Sequence, residues 1–197
     1  MRALVFVYPI DIDLKQFQFK KDDYIIAVDQ AYNDLEKLNI HVDLLVGDLD
    51  SIDKSLDLSQ VNTYKLNEEK DETDSYIALK QAYERTNDVL MIGGLGGRRI
   101  EHFYAHTRLF DKFPSLTIKN AYTTIYTLHK GIYKIKSDHY ISIFAYEDAI
   151  ITLKNFKYEL NKYKMNIYDT IGISNETKGQ SIIEVHKGKV LIFESKK

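Results

Sequence analysis

The chain has 197 residues, of which 44% are hydrophobic and 28% charged, with a formal net charge of −2. That is the profile of a globular protein long enough to bury a substantial core, as one ordinary domain or two small ones. The balanced charge gives no basic footprint for nucleic acid, and the absence of cysteine excludes disulfides, thiolate catalysis and thiolate metal sites. No apolar run approaches the roughly 18 residues of a membrane span. The opening MRALVFVYPIDID is interrupted by Pro9 and by acids rather than patterned for secretion, so a cytoplasmic location is expected.

Strands and helices alternate in the first part. ALVFVY (3–8) and YIIAV (24–28) are short, nearly continuous apolar runs, as expected of strands covered on both faces. AYNDLEKL (31–38) spaces Ala31, Leu35 and Leu38 along one helical face, and VDLLV (42–46) reads as a third strand. VNTYKL (61–66) is a fourth strand and DVLMIGG (88–94) a fifth. Between them, TDSYIALKQAYERT carries Tyr76, Leu79, Ala82 and Tyr83 at helical spacing. IEHFYAHTRLFDKF (100–113) supplies another amphipathic helix. This alternation predicts a parallel sheet with helices on both faces.

Near residue 120 the pattern changes. AYTTIYTL, GIYKIK, YISIFAY, AIITLKNFKYEL, SIIEVH and KVLIFES are short segments rich in Ile, Tyr and Val. They are punctuated by HKG (129–131), SD (137–138), ED (147–148) and HKGK (186–189). Evenly spaced short strands without a helical period predict an antiparallel sandwich or open barrel. Such a small unit is expected to dock on the first domain or on a second subunit.

Acids gather after the strands. Asp29 follows YIIAV, Asp48 and Asp50 follow VDLLV, and Asp71 and Asp74 precede the helix after VNTYKL. The glycine-rich GGLGGRR (93–99) follows DVLMI. Open parallel sheets bind ligands beyond the carboxyl ends of their strands, which is where all four segments fall. On an extended backbone Asp48 and Asp50 point the same way about 6.6 Å apart. Their repulsion is roughly 2–3 kcal/mol at an effective dielectric near 20, so water, basic neighbours or a divalent cation must offset it. A glycine-rich turn entering a helix suits phosphate, and Mg²⁺ takes carboxylates together with substrate phosphates. Structural roles compete for the same residues. Asp29 suits a helix cap, Asp71 and Asp74 suit an N-cap and a first-turn acid, and GGLGG suits a flexible turn. His102 on its helix fits a core or a surface position.

The stretches DQAYNDLEKLNIHVDLLVGDLDS, KDETDSYIAL, GGLGGRRIEH and IGISNE run in this order over nearly the whole chain. Together they resemble the thiamine pyrophosphokinase family. The most specific elements are Gly47-Asp48-x-Asp50-Ser51 and Lys70-Asp71-x-Thr73-Asp74. YISIFAYEDAIITLKNFKYEL, with GISNE and KGKVLIFES after it, is similar to the family's β-rich thiamine-binding domain. The resemblance implies an α/β ATP-binding catalytic domain over residues 1–121 and a β-sandwich thiamine-binding domain over residues 122–197, assembled as a homodimer. It implies transfer of pyrophosphate from ATP to thiamine, giving thiamine diphosphate and AMP, with Mg²⁺ as cofactor. By the same resemblance Asp48, Asp50, Asp71 and Asp74 hold the metal, and Asp71, Lys70 and Asp48 are catalytic. Asp29, Lys70, Thr73, Arg98, Arg99 and His102 contact ATP, and Ser174 and Asn175 contact thiamine. Those last two, with Gly172, are also ordinary turn residues.

The chain departs from the family pattern at several positions. Gln30 stands where the family has Gly, Arg98 where it has the second Gly of its Gly-Gly-Arg run, Glu101 where it has Asp, and His106 where it has Asn. There is no Trp, so stacking on thiamine falls to Tyr or Phe. Two other functions fit the residues alone. A different Mg²⁺-dependent nucleotide phosphohydrolase would turn over ATP without an acceptor, and a non-catalytic ligand-binding protein would show no metal-dependent turnover.

Overall fold

The structure is a computed structural model that describes residues 1–67 and 71–197. The chain divides into two compact units, Met1–Ala121 and Tyr122–Lys197. The first unit contains strands β1 (Ala3–Val7), β2 (Tyr24–Val28), β3 (Leu44–Gly47), β4 (Thr63–Lys65), β5 (Val89–Gly93) and β6 (Thr117–Lys119). Its helices are α1 (Ala31–Glu36), α2 (Asp74–Tyr83) and α3 (Ile100–Arg108), the last continued by a 3-10 turn, Leu109–Asp111. Strand order is β4-β3-β2-β1-β5-β6, and every pairing is parallel. No helix among the described residues is long and apolar enough to cross a membrane.

Strand alternation divides the core between the two faces of this sheet. Leu4, Phe6, Ile25, Ala27 and Leu45 pack with Ala31, Tyr32 and Leu35 of α1. The intervening Val5, Ile26, Val46 and Met91 are buried on the opposite face, where α2 packs with Ala78, Leu79 and Ala82. Both faces are thus covered, as the apolar runs require. The segment after β1 also contributes: Phe17 and Phe19 stack edge-on at 4.8 Å and both lie against Phe6. β6, with only Thr-Ile-Lys, is too short to stand out in the sequence. It forms because Ile118 is fully buried beside β5.

The second unit is entirely antiparallel. One sheet has β7 (Thr123–Leu128), β13 (Val190–Ser195) and β9 (Tyr140–Ala145) side by side. The other runs β11 (Leu160–Met165), β10 (Ala149–Phe156), β12 (Thr177–Lys187), β8 (Gly131–Ile135). Ile141, Ile143 and Ile192 of the first sheet meet Ile151, Leu153, Phe156 and Ile183 of the second in one apolar core. This is a sandwich. AIITLKNFKYEL is not one strand: the chain turns between Phe156 and Leu160, where Asn155 at φ +59 donates its backbone N–H to Glu159.

Candidate functional site

In the first unit the chain lays down β2, β3 and β4 to one side of β1 and then crosses to place β5 and β6 on the other. The order reverses at β1, and the crevice beyond the carboxyl ends of the strands at such a reversal is the expected ligand site. The loops leaving β1, β2 and β5 meet there. β1 exits through Tyr8 and Pro9, and Pro9 O accepts the backbone N–H of Gly94, just beyond β5, at 3.1 Å. β2 exits through Asp29, whose φ of +44 turns the chain into α1. Asp tolerates this left-handed region better than most residues.

Two chambers open from this junction. The larger, about 530 Å³, is walled by Gly94, Gly96, Gly97, Arg98 and Arg99 together with Pro9. The smaller, about 190 Å³, is walled by Asp29, Ser51, Thr73, Asp74 and Ser75. Tyr8, Gln30 and His102 line both. One compartment is therefore glycine-rich and basic, and the other is acidic and hydroxylated. Arg99 Nε donates to Glu101 Oε1 at 2.8 Å, which holds the Glu101 carboxyl below the usual carboxylate range.

The structure brings together Asp29, Thr73, Asp74, Arg98, Arg99 and His102. Thr73, not Asp71, caps α2, accepting the Tyr76 N–H at 3.3 Å, with Asp74 as the first-turn acid. Asp29 does not cap α1: the N-cap is Gln30, without a side-chain cap bond. Asp48, Asp50 and Asp71 line neither chamber. Asp48 Oδ1 accepts the Asp50 N–H at 3.2 Å, a local turn about Leu49, whose φ is +72. Lys70 lies outside the described residues. Among the described residues, no three Asp, Glu or His side chains form a group that could hold a metal. A pair such as Asp29 and Asp74 suits a hard divalent cation only in the shared mode, with substrate phosphates and water completing the shell.

Two residues that no motif singled out, and one noted only as a departure from the family pattern, are now prominent. Tyr8 and Pro9 line the cleft because the chain leaves β1 there, and a strand end carries no phosphate signature. His106 is the buried histidine of α3, whereas His102 is only half-buried. Its Nδ1 lies 2.9 Å from Gly94 O and its Nε2 3.2 Å from Ser75 Oγ.

In the second unit Ser174 takes φ +51, and its N–H donates to Ser142 Oγ at 3.0 Å. Asn175 is buried and builds the turn. Its Oδ1 accepts the N–H groups of Tyr158 and Glu176, its Nδ2 donates to Tyr158 O at 2.7 Å, and its backbone bridges to Ile141. Glu176 bonds Lys157 and Lys197, and those two ammonium groups pull its carboxyl down to about 2. Ser174 thus stands exposed on a hydrogen-bonded corner.

A parallel sheet with a cleft at the reversal of strand order defines the α/β class whose ligand sites lie beyond the strand ends, here followed by a β-sandwich. The chain belongs to the thiamin pyrophosphokinase family: residues 16–121 match the thiamin pyrophosphokinase catalytic domain, and residues 129–190 its vitamin B1 binding domain. A thiamine pyrophosphokinase of Bacillus subtilis (strain 168) is 35% identical over 117 residues, a stretch that spans 55% of this chain and 55% of that relative. The fold matches a crystal structure of thiamine pyrophosphokinase from Bacillus subtilis at TM-score 0.89 and 24% identity, covering 100% of this chain and 99% of that one. A structure from Geobacillus thermodenitrificans matches at TM-score 0.87 and 23% identity, covering 100% and 98%.

Proposed function

We propose that this chain transfers a pyrophosphoryl group from ATP to the hydroxyethyl oxygen of thiamine, giving thiamine diphosphate and AMP. The observation that carries this reading is the pairing of a glycine- and arginine-walled chamber with an acidic one at a single strand-end cleft. A polyphosphate needs close backbone approach and positive charge along its length, and carboxylates at the reacting end for a shared cation. In this reading Gly96 and Gly97 let the phosphates approach the backbone, and Arg98 and Arg99 neutralise them. Asp29 and Asp74 would hold Mg²⁺ together with the phosphates, and such an ion would supply charge neutralisation around the β-phosphorus. His102, Gln30 and Tyr8 occupy the passage between the chambers. Asp48, Asp50, Asp71 and Lys70 enter through their motifs alone, with Asp71 accepting the hydroxyl proton.

The new bond joins the thiamine oxygen to the β-phosphorus, and the bond to the α,β-bridging oxygen breaks, so AMP leaves. No covalent enzyme intermediate is needed, and rate comes from in-line positioning and charge neutralisation. Ser174, fixed by the Asn175 corner, contacts thiamine. The exposed apolar residues Ile167, Tyr168, Ile171 and Ile173, each 54% or more accessible, are the surface we assign to a homodimer interface. Incubation with ATP and Mg²⁺, with and without thiamine, tests the reading by separation of nucleotides. AMP that forms only with thiamine, one for one with thiamine diphosphate, supports it. ADP, or turnover without thiamine, overturns it.

A further inference from the structure

We infer that His106 is a positioning residue that ties the glycine-rich loop after β5 to the first turn of α2, and so sets the relative placement of the two chambers. The ring lines neither chamber, yet its two partners do: Gly94 walls the larger and Ser75 the smaller. His106 is 4% exposed, and Gly94 is pressed onto the ring so closely that a Cβ there would lie 2.8 Å from Cε1. His102, one turn earlier on α3, lines both chambers, with its ring 6.3 Å from that of His106. One imidazole therefore joins a residue of the basic compartment to a residue of the acidic one.

The two bonds fix the chemistry of the ring. A carbonyl only accepts, so Nδ1 carries the proton and donates to Gly94 O. In the neutral ring Nε2 is then the acceptor, and the Ser75 hydroxyl donates to it, so both nitrogens are used. Burial pushes its pKa down, which the Gly94 carbonyl opposes and His102 reinforces. No aliphatic side chain can make either bond, and each shorter amide can make only one. The carboxamide of Asn reaches the place of Nδ1, and that of Gln reaches the place of Nε2.

This difference separates a positioning role from mere filling of the core. The significance for ATP rests on the proposed function; the tie itself does not. Amide hydrogen exchange across residues 94–99 of the ligand-free full chain reads the tie directly. In His106→Gln, which loses the bond to Gly94, exchange there is expected to accelerate at least ~10-fold, with His106→Asn within about threefold of wild type. ATP affinity follows the same split, falling about fivefold or more in His106→Gln and recovering in His106→Asn. Equal behaviour of the two variants, or an Asn variant that does not fold, overturns the inference. A split in exchange without any pyrophosphate transfer by wild type would sink the proposed function and leave the tie standing.

Discussion

The Asp29 carboxylate lies against the backbone of Gly47, so closely that a Cβ on Gly47 would fall 1.6 Å from Oδ1. The two residues end adjacent parallel strands, Asp29 at φ +44 and Gly47 at φ +153. Glycine at position 47 is what leaves room for an acid on the wall of the smaller chamber. Gly47→Ala should cost about 1–3 kcal/mol of stability through backbone strain and displacement of Asp29. Adding Asp29→Gly relieves the clash, so a double-mutant cycle in urea should show clear coupling. Additive effects would contradict the contact.

Asp74 stands at the acidic wall and also in the first turn of α2. Its loss should affect chemistry far more than folding. Asp74→Asn is expected to slow turnover at least ~100-fold, the scale of a lost electrostatic contact in the transition state. Loss of the helix-dipole interaction should reduce stability by only about 0.3–1 kcal/mol. Turnover at saturating ATP, together with urea denaturation, distinguishes the two scales.

Arg98 and Arg99 are exposed at the mouth of the larger chamber, and Glu101 holds one of them. Arg98→Ala and Arg99→Ala should each raise KM for ATP about fivefold with melting unchanged, more strongly at low salt. Glu101→Gln releases Arg99 and should shift KM the other way. A titration of KM against ionic strength for the three variants checks both signs.

Far from the cleft, the Asp23 carboxylate is covered within a half-buried residue, and Arg2 grips it at both oxygens, at 3.0 and 2.7 Å. Burial pushes the Asp23 carboxyl up, but Arg2 and the Lys20 N–H outweigh it and hold the group below its usual 3.8. Because the folded-state value is the lower one, this stabilisation is complete above the unfolded-state value of 3.8 and is lost as pH falls from there through the folded-state value. Asp23→Asn should cost about 3 kcal/mol at pH 7, from breaking a buried pair. The gap to wild type should narrow in denaturation at pH 3. A constant gap would show that the charge plays no part.

The elements that read most plainly from the sequence are those whose burial is one-sided or complete. ALVFV, YIIAV and VLMIG are apolar throughout because both faces of the sheet are covered, and the change of period near residue 120 marks the second unit. β6 escaped because three residues carry no period. The helix cap fell to Thr73 because its hydroxyl sits at the N-terminus, which acid spacing alone does not register. In the cleft, motif residues such as Arg98, Arg99 and Asp74 were legible, whereas Tyr8 and Pro9 depend on strand order. His106 was visible only as a departure from a pattern. Its purpose depends on Gly94 and Ser75, 12 and 31 residues away, meeting it in space.

Transfer of an intact pyrophosphoryl group is the central claim, and the fate of labelled phosphorus in ATP tests it most directly. With thiamine and Mg²⁺ present, label from the β and from the γ position should enter thiamine diphosphate equally, and AMP should carry neither. Label entering from the γ position alone, with ADP as the nucleotide product, would contradict attack at the β-phosphorus and with it the account of the cleft.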